Sequence, residues 1–118
     1  MTQVLDIAVV EELLSLGDDA ELLLDLIEMF HEDGPERVGN IEQAFAAGDL
    51  EGVAEVAHSL KSSAGNLGIH ALEADCQTLQ VAGQGADTAA VTAAIPVFLA
   101  HFEEAMAALA ALEQQHRR

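Results

Sequence analysis

Basic and aromatic side chains are scarce in this chain of 118 residues. It has four Lys and Arg residues, four Phe residues and no Trp or Tyr, whereas Asp and Glu number 21 and bring the formal net charge to -17. A surface this negative repels phosphate backbones, and so few aromatic rings leave little for bases to stack on. The composition therefore excludes sequence-independent nucleic-acid binding, and the same repulsion disfavours binding to an anionic membrane surface.

Cysteine and long apolar runs are also scarce. The lone cysteine, Cys76, cannot form a disulfide within the chain, which favours a reducing, cytoplasmic setting. No uninterrupted apolar run reaches the roughly 20 residues that a membrane span needs. The N-terminus has no basic start followed by an apolar stretch and a cleavage site, so it differs from a signal peptide. We therefore expect a cytoplasmic protein that does not associate with membranes.

Hydrophobic residues, by contrast, make up 51% of the chain. High net charge together with low hydrophobicity is typical of disorder. Here the apolar fraction is high, so the acidic residues must cover the surface of a folded protein. The length fits a single domain over residues 1–118, which can bury roughly two-thirds of the surface of the unfolded chain.

Helical periodicity runs through the whole chain. Apolar residues recur at helical spacing over 5–16, 20–47, 50–67, 70–82 and from 88 towards 114, and no segment alternates as a strand does. Helices joined by short connections tend to pack antiparallel. The sequence thus predicts an all-α protein, an antiparallel, up-down four-helix bundle with an additional N-terminal helix.

Glycine and proline mark the predicted helix ends and breaks. The stretch 83–88 is the clearest loop, and Gly34-Pro35 predicts a kink or break in the second helix because proline removes a donor and clashes with the preceding turn. Pro96 predicts a similar break in the last helix. The remaining helix-end signals are terminating glycines and capping residues: Gly17, Gly48, Gly68, Asp18, Asp19, Asp49, Asp87 and Thr88.

Among the five histidines, His58 has the most distinctive surroundings. On a helical projection it lies about 40° outside the apolar arc of its helix, on the polar side. Small residues follow it at 62–65, and Lys61 lies three residues on. An exposed imidazole that titrates near neutrality, beside a cation, is suited to accept a phosphoryl group, although an ordinary solvated histidine would occupy the same position.

The segment 57–68, AHSLKSSAGNLG, resembles the signature of histidine-containing phosphotransfer (HPt) domains, His-x-Leu-Lys-Gly followed by small residues and a further glycine. The acidic helix 20–31, the corner 45–49 and the segment 72–80 also fall where this family has them. The resemblance implies that His58 is the phosphoacceptor and Lys61 stabilises the phosphoryl group. It further implies that Gly68 closes the helix and that Gln80 orients the imidazole.

One position departs from the family pattern, since Ser62 stands where glycine is usual. Serine is the next smallest choice, so partner access should survive, and we expect Ser62, Gly65 and Gly68 to contribute to the binding surface. The resemblance implies a relay that takes a phosphoryl group from a receiver-domain aspartate and passes it to another receiver, in a pathway fed by a hybrid sensor histidine kinase. The receiver would supply Mg²⁺, so we expect a monomeric phosphocarrier without its own cofactor or kinase activity.

Two alternatives remain open at this stage. One is a docking module in which His58 is never phosphorylated. The other is a carboxylate-bridged metal bundle built on two Glu-x-x-His units, Glu28 with His31 and Glu55 with His58. The second is disfavoured because Glu55 and His58 point away from the apolar arc, whereas buried ligands would lie within it.

Other polar positions receive structural interpretations. Cys76 is expected to be a small core residue, and His70 a polar residue at the start of a helix. His31 is expected to be solvated on the acidic helix, and His116 to be exposed in the polar tail.

Overall fold

The computed structural model describes residues 4–17 and 19–117, which are helical with short connections and contain no strand. This confirms the predicted all-α class. Four helices form an antiparallel bundle in which α3 packs between α2 and α4, and α5 contacts both α4 and α2, while the short α1 lies against α2. The helices are α1 (Ile7–Ser15), α2 (Glu21–Ala46), α3 (Leu50–Asn66), α4 (His70–Gln84) and α5 (Thr88–His116).

Aspartate caps begin two of the bundle helices. Asp49 Oδ1 accepts a hydrogen bond from the backbone N–H of Gly52, and Asp87 Oδ1 accepts one from Ala90, so each satisfies a donor that the first helical turn leaves unpaired. The start of α2 differs from the prediction. Its N-cap is Ala20 in a left-handed conformation, with φ 62° and no side-chain cap bond. Of the two predicted capping residues, Asp19 is not the N-cap, and Asp18 lies outside the described residues.

The sequence predicts a kink or a break at Gly34-Pro35, and the break is absent because α2 continues through Pro35. Gly34 has no Cβ to clash with the following proline ring, which removes part of the usual conflict. Buried residues on both sides, among them Phe30 and Val38, anchor the two halves in one core and so offset the roughly 3 kcal/mol cost of an interior proline. The break predicted at Pro96 is also absent, since this exposed proline lies inside a continuous α5.

Glycines allow close helix contacts at two points in the core. A Cβ on Gly34 would lie 3.1 Å from the Phe102 ring, which itself packs on Phe30 with centroids 5.9 Å apart. A Cβ on Gly83 would lie 2.5 Å from the carbonyl oxygen of Leu50. Gly83 is therefore a buried packing residue inside α4, and the predicted loop at 83–88 begins later, after Gln84.

His70 ties the beginning of α1 to the beginning of α4. Its Nε2 lies 2.8 Å from Asp6 Oδ2 and its Nδ1 lies 3.1 Å from Glu73 Oε1, while the backbone N–H of Asp6 donates to the carbonyl of Gly68. The hydrogen bond with Asp6, reinforced by Glu73, raises the pKa of His70 above its ordinary 6.5. The same bond lowers the pKa of Asp6 below its ordinary 3.8.

Helix α5 qualifies the expectation that the chain has no segment able to span a membrane. It is long and apolar enough to cross one, by length and composition only. The prediction from the sequence concerned uninterrupted apolar runs, whereas Pro96, His101 and the pair Glu103-Glu104 interrupt this helix. A helix in the core of a soluble protein meets the same criterion, so the finding is weak evidence for a span. Here α5 contributes core residues along its length: Val91, Phe98, Phe102, Ala105 and Leu109.

Candidate functional site

His58 lies exposed near the middle of α3, at the edge of the buried face of that helix. The buried face consists of apolar residues at helical spacing: Val53, Ala54, Ala57, Leu60 and Ala64. Burial of these residues fixes the rotation of α3, and the polar residues between them must then face solvent or α4. The position predicted for His58 from the helical projection is confirmed.

Gln80 of α4 contacts the imidazole of His58. His58 Nδ1 lies 3.3 Å from Gln80 Oε1, and an amide oxygen can only accept a hydrogen bond. The contact therefore requires the proton to be on Nδ1, which leaves the lone pair on Nε2. A neutral imidazole held in this tautomer has its nucleophilic nitrogen at the far end of the ring from α4.

Lys61 also reaches α4, where its Nζ donates a hydrogen bond to Gln77 Oε1 at 2.6 Å. Gln77 was not among the residues predicted from the sequence. A signal was present, because α3 and α4 are joined by a tight corner, and antiparallel helices bring residues equally distant from that corner together. Lys61 and Gln77 are equally far from Ile69 along the chain, and so are His58 and Gln80.

The small residues after His58 have different surroundings. Ser62 is exposed one turn beyond the histidine, so it leaves the ring open. Gly65 makes room for α4, since a Cβ there would lie 2.8 Å from Glu73 Oε2. Gly68 is buried at the corner with φ 72°, and a Cβ on it would lie 3.0 Å from side chains of α1. It closes α3 and does not share the open face of His58.

Charge is distributed unevenly around His58. On one side of His58, an open hollow is lined by the imidazole, by Glu51 and Glu55 of α3, and by Gln80 and Gln84 of α4. Lys61 lies towards the other end of the helix, and no carboxylate within the described residues forms an ion pair with it. An anion at His58 is therefore attracted to the Lys61 side and repelled by the glutamates.

The metal-bundle alternative finds no support in the part of the chain that the structure describes. No group of three or more His, Cys, Asp or Glu side chains there could hold a metal ion. Glu28 and Glu55 are exposed on separate helices. The expectation for His31 is wrong, because its Nε2 is buried and has no hydrogen-bond partner among the described residues. Its helix packs against other elements on that side, which the local sequence does not reveal.

A family model of the Hpt domain matches residues 25–115. The match covers most of the chain and includes all of α3 and α4 with His58, Lys61, Gln77 and Gln80. The chain belongs to the Hpt domain family. The resemblance drawn from the segment 57–68 is thereby confirmed at the level of the family.

A solved structure supports the same assignment. This Hpt domain resembles the crystal structure of histidine-containing phosphotransfer protein B (HptB) from Pseudomonas aeruginosa PAO1, with a TM-score of 0.90 and 25% sequence identity over 99% of this chain and 100% of that one. A comparison with curated protein sequences finds no significant match. The structural likeness includes the N-terminal helix, which precedes the residues that the family model matches.

Proposed function

We propose that this Hpt domain carries a phosphoryl group on Nε2 of His58, accepting it from the aspartate of one receiver domain and passing it to another. The observation that supports the proposal is the joint arrangement on α3 and α4. Gln80 holds an exposed imidazole as the Nδ1–H tautomer, and Lys61 supplies a cation that no neighbouring carboxylate neutralises. Family membership gives the general role in histidine phosphotransfer.

In the proposed transfer, the lone pair on Nε2 attacks phosphorus of the aspartyl phosphate in line with the bond that breaks. The P–O bond breaks as the P–Nε2 bond forms, and the aspartate leaves with the electron pair as a carboxylate. The proton stays on Nδ1, which donates to Gln80 Oε1, and this hydrogen bond stabilises the positive charge that develops on the ring. Lys61 offsets the charge of the phosphoryl oxygens, and the return step reverses these changes.

The proposal assigns the remaining requirements to partners. A receiver domain would supply its own Mg²⁺, and a hybrid sensor histidine kinase would supply the phosphoryl group upstream. No glycine-rich nucleotide-binding motif occurs in the sequence, which supports a phosphocarrier without autonomous kinase activity. We further propose that the domain acts as a cytoplasmic monomer.

Incubation with a phosphorylated receiver domain tests the proposal. We expect phosphate on this chain that is labile in acid and stable in base, and we expect His58→Gln to abolish it because the nucleophile is gone. His116→Gln, at the C-terminal end of α5, is the matched control and should keep full labelling. Labelling of His58→Gln would contradict the assignment, and an unlabelled wild type that still binds receivers would favour the docking module.

A further inference from the structure

The partner of Lys61 is unexpected in so acidic a protein. Asp and Glu outnumber Lys and Arg by 21 to 4, yet the Lys61 ammonium donates to the neutral amide of Gln77. Two carboxylates lie on α4 within about a turn of Gln77 and contact histidines instead. Glu73 lies against His70, and Asp75 forms a short hydrogen bond with His101.

A neutral acceptor has a different consequence from a carboxylate at this position. The amide oxygen accepts a hydrogen bond from one of the three ammonium hydrogens and so orients the side chain, but it leaves the full positive charge available. A carboxylate at the same distance would pair with the ammonium and compete with any incoming anion. Lys61 follows His58 by three residues, so its charge is held on the same side of α3 as the imidazole.

We infer that Gln77 is a positioning residue for phosphoryl transfer, which holds the Lys61 ammonium beside His58 without neutralising it. The inference rests on the proposed function, since it assigns Gln77 a part in the same site. It places two glutamines one turn apart on α4 with separate tasks. Gln80 sets the tautomer of the nucleophile, and Gln77 sets the position of the cation.

Loading with phosphoramidate tests the inference without a receiver. In this reaction Nε2 of His58 attacks phosphorus, and the P–N bond of the donor breaks. The donor nitrogen is already protonated, so it leaves as ammonia with the electron pair. We expect Gln77→Glu to slow loading about tenfold, the loss of one charge-assisted contact, while the melting temperature stays the same or rises. Gln77→Ala should slow loading by about threefold, because Lys61 loses its orientation but keeps its charge.

Two controls separate positioning from a structural role. Gln43→Glu makes the same chemical change on an exposed part of α2 and should load as the wild type does. In a Lys61→Ala background, Gln77→Ala should have no further effect, because the inference requires the glutamine to act through the lysine.

The inference is overturned if Gln77→Glu loads at the wild-type rate, or if Gln77→Ala slows loading equally with and without Lys61. A wild type that phosphoramidate does not load also counts against it, because a held cation beside an open imidazole should favour the anionic donor. Failure of the proposed function gives a different result, in which phosphoramidate loads His58 with the expected dependence on Gln77 but no phosphorylated receiver does.

Discussion

Substitution of Gly83 by alanine should separate α3 from α4. The added Cβ would lie 2.5 Å from Leu50 O, 3.0 Å from Ala54 Cβ and 3.2 Å from Ala54 N. Two of these three atoms belong to the backbone, so no side-chain rotation relieves the contact. Overpacking of this kind costs typically about 1–3 kcal/mol, whereas replacing glycine by alanine in a helix returns roughly 1 kcal/mol.

The net expectation for Gly83→Ala is a loss of roughly 0–2 kcal/mol in the free energy of unfolding, from the overpacking cost less the helix-propensity gain. Chemical denaturation followed by circular dichroism measures it. Gly39→Ala is the matched control, since a Cβ there meets nothing within 4 Å, and it should stabilise the protein by about 0.4–1 kcal/mol. If Gly83→Ala proves as stable as Gly39→Ala, the close α3–α4 contact that positions Gln77 and Gln80 is refuted.

Two further predictions follow from the pKa directions. The raised pKa of His70 adds stability that is fully present below pH 6.5 and is lost as pH rises through the pKa of His70 in the folded protein. The lowered pKa of Asp6 adds stability that is fully present above pH 3.8 and is lost as pH falls through the pKa of Asp6 in the folded protein. Protection against hydrogen exchange in α1, relative to the unfolded chain at the same pH, should therefore be greatest between these pH values. His70→Gln should remove the alkaline limb, and an unchanged profile in the variant contradicts this. Burial raises the pKa of the Cys76 thiol to about 12. Iodoacetamide should therefore leave the native protein unmodified at pH 8 and alkylate it in denaturant. Rapid labelling of the native protein would contradict the buried position of Cys76.

Most of the fold could be predicted from the sequence because helical periodicity and capping residues are local signals. Asp49 and Asp87 cap the helices that follow them, as expected. The absence of a break at Pro35 has a non-local cause, since burial on both sides of the proline keeps α2 continuous. Gly83 has a similar cause, because its packing against Leu50 is visible only once α3 and α4 are docked.

The residues of the candidate site show the same difference between local signals and tertiary packing. His58 and Lys61 share one helix, so spacing and a family signature were enough to select them. Gln80 came from the resemblance, and its contact with His58 Nδ1 agrees with the expected orienting role, which remains to be tested. Gln77 was missed because its contact with Lys61 depends on the α3–α4 register, and His31 was misjudged because the covering of α2 is a tertiary property.

The position of the phosphoryl group on the imidazole tests the central claim most directly. After transfer from a phosphorylated receiver to protein labelled with ¹⁵N at histidine, NMR coupling between phosphorus and nitrogen identifies the bonded atom. Because Gln80 Oε1 requires the proton on Nδ1, the account predicts a single phosphohistidine at position 58 with phosphorus on Nε2. Phosphorus on Nδ1 of His58, or on any other residue, would contradict it.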